Sequence, residues 1–422
     1  MNHFSYRGGA LCCEAVALAA IAEAVGTPAY VYSTATLERH YDVFKAAFAP
    51  REILIAFAVK ANANLAVLAT LAAKGAGADT VSQGEIARAL KAGIPAARII
   101  FSGVGKTEAE LAFAVKTGIG QINVESAAEL ALLSGVAGAL DRIPAVSIRV
   151  NPDVGAGGHD KISTGGGASK FGVSPQQALA LYARAHADPN LDPQGLAVHI
   201  GSQIKQLGPF AAAFAVLREL AERLRGDGLA IARLDLGGGL GVPYFNEPDP
   251  PSPAEYARMA LAAFGELDVK LAFEPGRMIA GNAGVLIARV IRIQERPARP
   301  ILVLDAAMND LLRPAMYDAF HEIRPAREPA QGAPRQTYDV VGPICETGDS
   351  FARDRPFPLL AAGDLVALMT AGAYGATMAS AYNARPLVPE VLVRGENFEI
   401  VRRRWSVEEQ MALEKLPPWL EN

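Results

Sequence analysis

Residues 53–60 of this 422-residue chain read Ile-Leu-Ile-Ala-Phe-Ala-Val-Lys, an apolar run that ends in a lysine. A short apolar run of this kind predicts a strand that is buried on both faces. Burial disfavours the ammonium form of a lysine side chain. Lys60 is therefore expected either to be paired or to act as an amine nucleophile, and much of the function depends on this choice.

Seven similar runs follow, each with polar residues or glycine at its end. They are residues 77–82 (GADTVS), 98–103 (RIIFSG), 121–126 (QINVES), 145–151 (AVSIRVN), 195–202 (GLAVHIGS), 232–239 (ARLDLGGG) and 271–277 (LAFEPGR). Between them lie segments with helical periodicity, including 64–74, 83–92, 107–117, 174–187, 209–226 and 253–267. Strands that alternate with helices indicate parallel pairing, and eight such repeats favour an α/β fold of the (β/α)8 (TIM) barrel type. An open doubly wound sheet is the alternative, but it would more often stop near six strands.

The pattern changes beyond about residue 290, where strand-like segments alternate with Pro and Gly and lack regular helical spacers. Such segments are 285–293, 300–304, 337–341, 364–369 and 389–394, and residues 325–336 are typical of a surface loop. We therefore expect a barrel at 45–290 and a mainly β domain, similar to a β-sandwich or barrel, at 291–422. Residues 1–44, which include the strand-like stretch AYVYS at 29–33, could join this second domain.

Composition excludes several classes of function. The net charge of −4 with mixed signs offers no electrostatic basis for binding nucleic acid or an anionic membrane. Three cysteines, two of them adjacent, form no disulfide framework and fit a reducing compartment. Glu14 and Glu23 limit the N-terminal apolar stretch to eight residues, which is too short to span a bilayer. A cytoplasmic protein is the expectation.

In a parallel barrel the chemistry lies at the carboxyl ends of the strands. A lone polar residue there is usually structural, but here the ends converge. They supply Lys60, Asp79, Ser82, Ser102, Arg149, His199, Ser202, the glycines at 237–239, Glu274 and Arg277.

Each of these motifs also has a purely structural interpretation. The glycine run 237–241 (GGGLG) lets backbone N–H groups approach an anion, but alone it could be only a tight turn. Glu274 could pair with a protonated ring nitrogen, and Arg277 could bind a carboxylate or phosphate, or the two could simply pair with each other. His199 could be a core histidine or could stack on a planar cofactor. The histidine spacing does not favour a metal site, and the glycine-rich stretch 155–167 (GAGGHDKISTGGG) favours a mobile loop.

A reactive lysine, a phosphate cradle, a flat imidazole and a carboxylate for a pyridine nitrogen together match the needs of pyridoxal 5′-phosphate. With these residues, the chain resembles the diaminopimelate decarboxylases, which are fold-type III (alanine-racemase-like) pyridoxal-phosphate enzymes. The matching segments run in family order across nearly the whole chain: 57–62 (FAVKAN), 82–85 (SQGE), 199–203 (HIGSQ), 237–241, 274–277 (EPGR), 313–317 (RPAMY), 345–349 (CETGD) and 372–375 (GAYG).

The resemblance implies a carboxy-lyase that converts meso-2,6-diaminopimelate to L-lysine and carbon dioxide, the last step of lysine biosynthesis. It also implies a barrel plus a β domain built from both chain ends, and an obligate homodimer with shared active sites. The implied cofactor-binding residues are Lys60 (which holds the aldehyde), Asp79, His199 (which stacks on the ring), Ser202, Gly238, Gly239, Glu274 (at the pyridine nitrogen), Gly276, Arg277 and Tyr374.

For the substrate, the resemblance implies binding by Arg277, Arg313, Tyr317, Glu346 and Tyr374. Cys345 would be the proton donor, on a segment that reaches the active site of the partner subunit. Two arginines and one glutamate suit a substrate that carries charges of both signs, and a thiol is a suitable weak acid. A small buried hydrophobe is the alternative for Cys345.

The chain departs mildly from the family pattern, with Phe57 where many members have Tyr and Thr347 where many have Ser. Decarboxylases of the same fold that act on arginine, ornithine or carboxynorspermidine are the nearest alternatives, but their substrates lack the distal amino-acid group that Arg313, Tyr317 and Glu346 would bind. Alanine racemase would need a base opposite the lysine. A pyridoxal-phosphate carrier protein would be a single barrel.

Overall fold

A computed structural model of the chain describes residues 2–155, 164–166, 169–245 and 248–420. Most of the stretch 155–167, for which a mobile loop is expected, lies outside these residues. The chain divides into two compact units. The barrel unit comprises Leu37–Ala280, and the β unit combines Met1–Thr36 with Gly281–Asn422.

The barrel unit is built on a closed ring of eight parallel strands. They are, in chain order, Ile53–Ala58, Gly77–Thr80, Ile99–Phe101, Gln121–Val124, Ala145–Val150, Asp192–Val198, Arg233–Asp235 and Lys270–Phe273. Each strand pairs with the next, and the eighth pairs with the first through Leu271 and Ile53. The predicted (β/α)8 barrel is confirmed, and the open sheet is excluded. We refer to these strands as the first to the eighth barrel strand.

Helices follow the barrel strands and begin at residues that the sequence marks. Their bounds are Leu65–Ala73, Gln83–Lys91, Glu108–Thr117, Ala127–Leu140, Pro175–Ala187, Leu207–Gly226, Pro253–Phe264 and the short Arg277–Ala280, while Thr34–Ala47 precedes the first strand. Ser82, Thr107, Ser126, Ser174 and Ser252 cap five of them by accepting the backbone N–H three residues further on. Each such cap contributes about 1 kcal/mol and fixes where the loop after a strand ends.

The β unit contains strands from both ends of the chain. Its strands are Phe4–Arg7, Ala10–Cys13, Val16–Ala17, Ala29–Ser33, Gly284–Gln294, Ile301–Leu304, Ile323–Pro325, Arg335–Val341, Ser350–Pro358, Leu365–Leu368, Glu390–Arg394 and Asn397–Arg402. Short helices lie at Leu18–Val25, Arg313–Tyr317 and Val407–Met411. The structure confirms a mainly β domain formed by both termini.

The N-terminal strand Ala29–Ser33 lies inside the large sheet of this unit. It pairs antiparallel with Gly284–Gln294 on one side and parallel with Glu390–Arg394 on the other. All five of its residues are buried. The strand therefore contributes to the core of the β unit, together with apolar residues of both chain ends such as Leu11, Val285 and Val391.

Within the described part of the chain, no helix combines the length and the apolar character that a membrane crossing would need.

Candidate active site

Lys60 lies directly after the first barrel strand, in the short 3₁₀ helix Val59–Ala61. Its Nζ donates a hydrogen bond to Oδ2 of Asp79 over 2.7 Å, and Asp79 is fully buried near the end of the adjacent second strand. The lysine side chain itself keeps 32% of its surface exposed. The sequence left open whether Lys60 is paired or reactive. The geometry allows both, because the paired amine is still accessible.

Glu85 is an acid near this pair that sequence reasoning did not assign to the site. It lies on the helix Gln83–Lys91, and its Oε2 accepts the backbone N–H of Val81 over 2.8 Å. Burial, with a smaller contribution from the charge of Asp79, raises the pKa of Glu85 to about 7. This carboxyl group therefore changes its charge near neutral pH.

Glu274 follows the eighth barrel strand and is buried. Burial, followed by the charges of Asp235 and Asp79, holds the pKa of this carboxyl group well above its usual range. Among the described residues no hydrogen-bond donor reaches its Oε1. A buried carboxyl oxygen without a partner usually has a functional explanation. Glu274 is therefore expected to carry a proton near neutral pH, unless a cation approaches it.

His199, at the end of the sixth barrel strand, is positioned by the glycine run. Its Nδ1 accepts the backbone N–H of Gly238 over 3.1 Å and lies 3.9 Å from Oε2 of Glu274. Burial, with the nearby charges of Lys60 and Arg149, holds the pKa of His199 well below its usual range. The imidazole is therefore neutral with its proton on Nε2, as suits a ring that stacks on a planar cofactor rather than one that acts as an acid.

The glycines at 237–239 are required by close contacts between neighbouring strand ends. A Cβ on Gly238 would lie 2.2 Å from the carbonyl oxygen of Glu274, and one on Gly239 would lie 2.5 Å from that of Gly201. Gly239 also has a φ of +110°, which favours glycine. Backbone packing therefore explains the glycines. Binding of a phosphate by the same turn stays a prediction.

Arg277 is buried at the start of the helix Arg277–Ala280, immediately after Gly276. Its Nε and Nη2 donate to Oγ of Ser202 over 3.3 and 3.1 Å, and its Nη1 donates to the hydroxyl of Tyr244 over 2.8 Å. The structure thus brings Arg277 and Ser202 together, as expected of two residues that share one anion. Gly276 accepts the N–H groups of Ile279 and Ala280 through its carbonyl oxygen, which shapes this helix.

A layer of polar side chains lies in the barrel interior near these residues; sequence reasoning named Arg149 but missed Gln121, Asn123, Glu125 and Asp235. Asp235, on the seventh strand, accepts hydrogen bonds from the side chains of Gln121 and Asn123 on the fourth strand. Arg149 donates to Oε1 of Glu125 over 2.8 Å. The sequence Leu-Asp-Leu at 234–236, in which an aspartate interrupts an apolar strand, could have indicated a buried carboxylate here.

In the β unit, Arg313 and Tyr317 stand at the two ends of one short helix. Nη1 of Arg313 donates to Nε2 of His321 over 2.9 Å, while Nδ1 of His321 lies 2.8 Å from the carbonyl oxygen of Met369. His321 must donate to that carbonyl, so its Nε2 is free of a proton and accepts from Arg313. A neutral, fully buried histidine therefore orients the guanidinium group.

Cys345 and Glu346 lie together on an exposed turn of the β unit. Asp349 stabilises the turn: its buried carboxylate accepts hydrogen bonds from the N–H groups of Ile344 and Met308, each over 2.7 Å. The N–H of Cys345 donates to Oδ1 of Asn383 over 3.0 Å. Exposure removes the interpretation of Cys345 as a small buried hydrophobe.

Tyr374 lies in another loop of the β unit and adopts a positive φ of 55°. The next residue, Gly375, packs against Tyr30, whose hydroxyl oxygen would lie 2.7 Å from a Cβ at that position. Tyr382 forms a side-chain hydrogen bond with Glu346, which raises the pKa of this tyrosine. The β unit therefore presents its candidate residues on separate segments: one helix, one turn and one loop.

Comparison with known proteins agrees with this geometry. The family described as "Pyridoxal-dependent decarboxylase, pyridoxal binding domain" matches residues 34–281. The diaminopimelate decarboxylase of Zymomonas mobilis is 49% identical over the full length of both chains. The solved diaminopimelate decarboxylase of Helicobacter pylori in complex with L-lysine has a TM-score of 0.90 at 39% identity, covering 94% of this chain and 98% of that one. The M. jannaschii enzyme in co-complex with L-lysine has a TM-score of 0.94 at 32% identity, with full coverage of both chains.

Proposed function

The chain belongs to the diaminopimelate decarboxylases, and we propose on this basis that it is a carboxy-lyase that converts meso-2,6-diaminopimelate to L-lysine and carbon dioxide with pyridoxal 5′-phosphate. The observation that carries the proposal is the pairing of the first and eighth barrel strands. Because of this pairing, Lys60, with its accessible amine, and Glu274, with its buried carboxyl group, follow the ends of two neighbouring strands. These are the two groups that a pyridoxal cofactor requires at its aldehyde and at its ring nitrogen.

The barrel residues fit this cofactor by their chemistry. When bound, pyridoxal phosphate supplies an aldehyde for an amine and a ring that accepts the electrons released when carbon dioxide leaves. Lys60 would hold the aldehyde, and Asp79 would keep the amine in place. Glu274 would hold a proton at the ring nitrogen, and the neutral His199 would cover the face of the ring.

The phosphate end would be held by backbone N–H groups of Gly238, Gly239 and Gly276 together with Arg277 and Ser202. Glycine permits close approach of an anion to the backbone, and a guanidinium group binds phosphate in bidentate fashion. The contact between Arg277 and Ser202 supports a shared anion, since both groups can donate to it.

We propose that the β unit supplies the residues that select the substrate. Diaminopimelate carries two carboxylates and two ammonium groups. Arg313 would bind the distal carboxylate, and Glu346 would bind the distal amino group. Tyr317 and Tyr374 would complete these contacts. The neutral His321 beside Arg313 supports this assignment, because it orients the guanidinium group without neutralising its charge.

Cys345 would return the proton to the carbon that loses the carboxylate. A thiol is a suitable weak acid for this step, and the exposed position of Cys345 on its turn supports contact with a substrate. We further propose a homodimer in which the turn with Cys345 and Glu346 completes the active site of the partner subunit. Localisation in the cytoplasm is proposed from the three cysteines, which the structure leaves unbridged.

The proposal is tested by incubating the purified protein and pyridoxal phosphate with meso-diaminopimelate, L-lysine, L-ornithine or L-arginine and measuring carbon dioxide. Release from meso-diaminopimelate alone, with L-lysine as the second product, is expected. Release mainly from ornithine or arginine would assign the chain to the alternative decarboxylases. No release from any substrate, with the cofactor bound, would favour a carrier protein.

A further inference from the structure

Asp235 is a buried carboxylate at the end of the seventh barrel strand that no proposed step uses. It accepts three N–H donors: the backbone of Gly237 at Oδ1 over 3.1 Å, and the side chains of Gln121 and Asn123 at Oδ2, each over 3.2 Å. Its exposed fraction is 1%. Hydrogen bonds from three N–H groups stabilise the charged form of a carboxyl group. Asp235 is therefore built to carry a negative charge inside the barrel.

The backbone also places Glu274 beside Asp235: Asp235 pairs with Ala272 of the eighth strand, and the N–H of Glu274 donates to the carbonyl oxygen of Gly237 over 2.8 Å. Both side chains are buried, and the charge of Asp235 contributes to raising the pKa of Glu274 after burial itself. Two ionised carboxylates have no hydrogen to donate, so a hydrogen bond between two carboxyl groups requires a proton on one of them. Two buried like charges in contact are also strongly unfavourable. The three N–H donors favour the charge on Asp235, which leaves the proton on Glu274. Oε1 of Glu274 has no hydrogen-bond partner among the described residues, so Oε2 would be the oxygen that shares the proton with Asp235, and Oε1 stays available to the ring nitrogen.

Asp235 also connects the other parts of the candidate cofactor site. Its Oδ1 holds the N–H of Gly237, and the next residue, Gly238, donates to Nδ1 of His199. One carboxylate thus contacts the glycine turn and lies on the strand next to the acid expected at the ring nitrogen. On the far side, Gln121 and Asn123 fix Asp235 to the fourth strand across the barrel.

We propose that Asp235 is a positioning residue for Glu274: the two carboxyl groups share one proton, the negative charge stays on Asp235, and the pair fixes the orientation and charge of Glu274 at the ring nitrogen of the cofactor. This inference rests on the proposed function and adds to it a residue that would not touch the cofactor. It assigns the charge opposite the ring to a pair of acids rather than to Glu274 alone.

The test is infrared spectroscopy of the full chain, first without and then with pyridoxal phosphate. The wild type minus E274Q difference spectrum should show the C=O band of a protonated carboxylic acid at neutral pH. In D235N, measured against the double variant with E274Q, the pH at which this band disappears should fall by roughly 1–3 units, because the neighbouring charge is removed. No band in the wild type, or an unchanged pH in D235N, would overturn the inference.

Further variants separate this effect from loss of structure. N123A keeps both carboxyl groups but removes one donor that stabilises the charge on Asp235. The last proton of the pair should therefore be lost at a higher pH, opposite in direction to the shift in D235N, and this variant serves if D235N does not fold. S147A changes a buried hydroxyl of the fifth strand that has no hydrogen-bond partner among the described residues, and it should leave the band in place. With cofactor bound, the absorbance of D235N should depend on pH where that of the wild type does not. An effect of S147A equal to that of D235N would indicate a merely structural role.

Failure of this inference can be told apart from failure of the proposed function. Carbon dioxide released from meso-diaminopimelate without the carboxylic acid band would reject the shared proton alone. The band without carbon dioxide from any substrate would reject the decarboxylase assignment alone.

Discussion

The candidate residues of the barrel unit and those of the β unit are held in different ways. Asp79 and Glu274 are buried at the ends of strands that are paired on both sides in a closed ring. Cys345 and Glu346 lie on an exposed turn that depends on the side chains of Asp349 and Asn383. The first arrangement is held by backbone pairing on both sides of each strand, and the second by a few side-chain hydrogen bonds. Cofactor binding should therefore depend on the barrel, and substrate choice and turnover on the β unit.

The strongest test of this division is Lys60→Ala. Loss of the amine should abolish trapping of the cofactor by borohydride and lower kcat by on the order of 10³-fold or more, as for other covalent nucleophiles. Lys74→Ala is a matched control, since Lys74 is also paired with an aspartate (Asp42, 2.8 Å) and its side chain is similarly exposed, at 31%. A Lys60→Ala variant that decarboxylates normally would refute the assignment.

Cys345→Ala should distinguish most clearly between the role of the β unit in turnover and that of the barrel in cofactor binding. Removal of a general acid is expected to slow turnover by roughly 10²–10⁴-fold, while absorbance titration shows unchanged cofactor binding. Cys12→Ala, which removes a buried thiol of the same unit, serves as control and should keep its turnover. Unchanged turnover in Cys345→Ala would remove this residue as the proton donor.

Asp349→Ala tests whether the turn is held as described. The N–H groups of Ile344 and Met308 would lose a charged acceptor, at a cost of about 1–3 kcal/mol. We expect KM for the substrate to rise by about tenfold with cofactor affinity unchanged. Asp364→Ala removes an acceptor from another turn of the β unit, at the N–H of Ala361, and should leave KM as it is. A fall in cofactor affinity in Asp349→Ala would contradict the division between the units.

The smallest expected effect is on stability, in Glu85→Gln. The pKa of Glu85 is about 7 in the folded chain and about 4.5 when exposed, so the folded state binds more protons between these values. The free energy of unfolding of the wild type therefore falls as pH rises from 4.5 to 7, and glutamine should remove this part of the slope. Urea midpoints at pH 5 and pH 8 measure it, with the exposed Glu108→Gln as control. An equal slope in wild type and Glu85→Gln would show that Glu85 is not buried enough to matter.

The fold of the barrel was predictable because its strands are buried on both faces and read as continuous apolar runs. The edge strands of the β unit were not predictable in this way. Ser350–Pro358 contains two arginines, an aspartate and two prolines, and Asn397–Arg402 is largely exposed. Neither strand shows the alternation of apolar and polar residues that marks a half-buried strand. Each lies at an edge of the described sheet, where one side has no neighbouring strand and few side chains are constrained by packing.

The candidate site was predictable where a residue type alone suggests a chemical role, as with Lys60, His199 and Glu274; these roles stay predictions. The site was not predictable where the property arises from neighbours distant in sequence. Asp235 depends on donors from the fourth strand, and the orientation of Arg313 depends on His321, which in turn donates to Met369. Such groups become visible only when the ring and the sheet bring them together.

Closure of the barrel also has a consequence for biosynthesis. The strand that precedes Lys60 gains its second neighbour only when Leu271 pairs with Ile53. Until the ribosome has made that eighth strand, the edge of the first strand is open and Glu274 does not yet exist. Contacts so distant in sequence form slowly and late in folding. A truncated or stalled chain would thus hold the lysine without its acid, and would offer the cofactor an amine but no partner for its ring nitrogen.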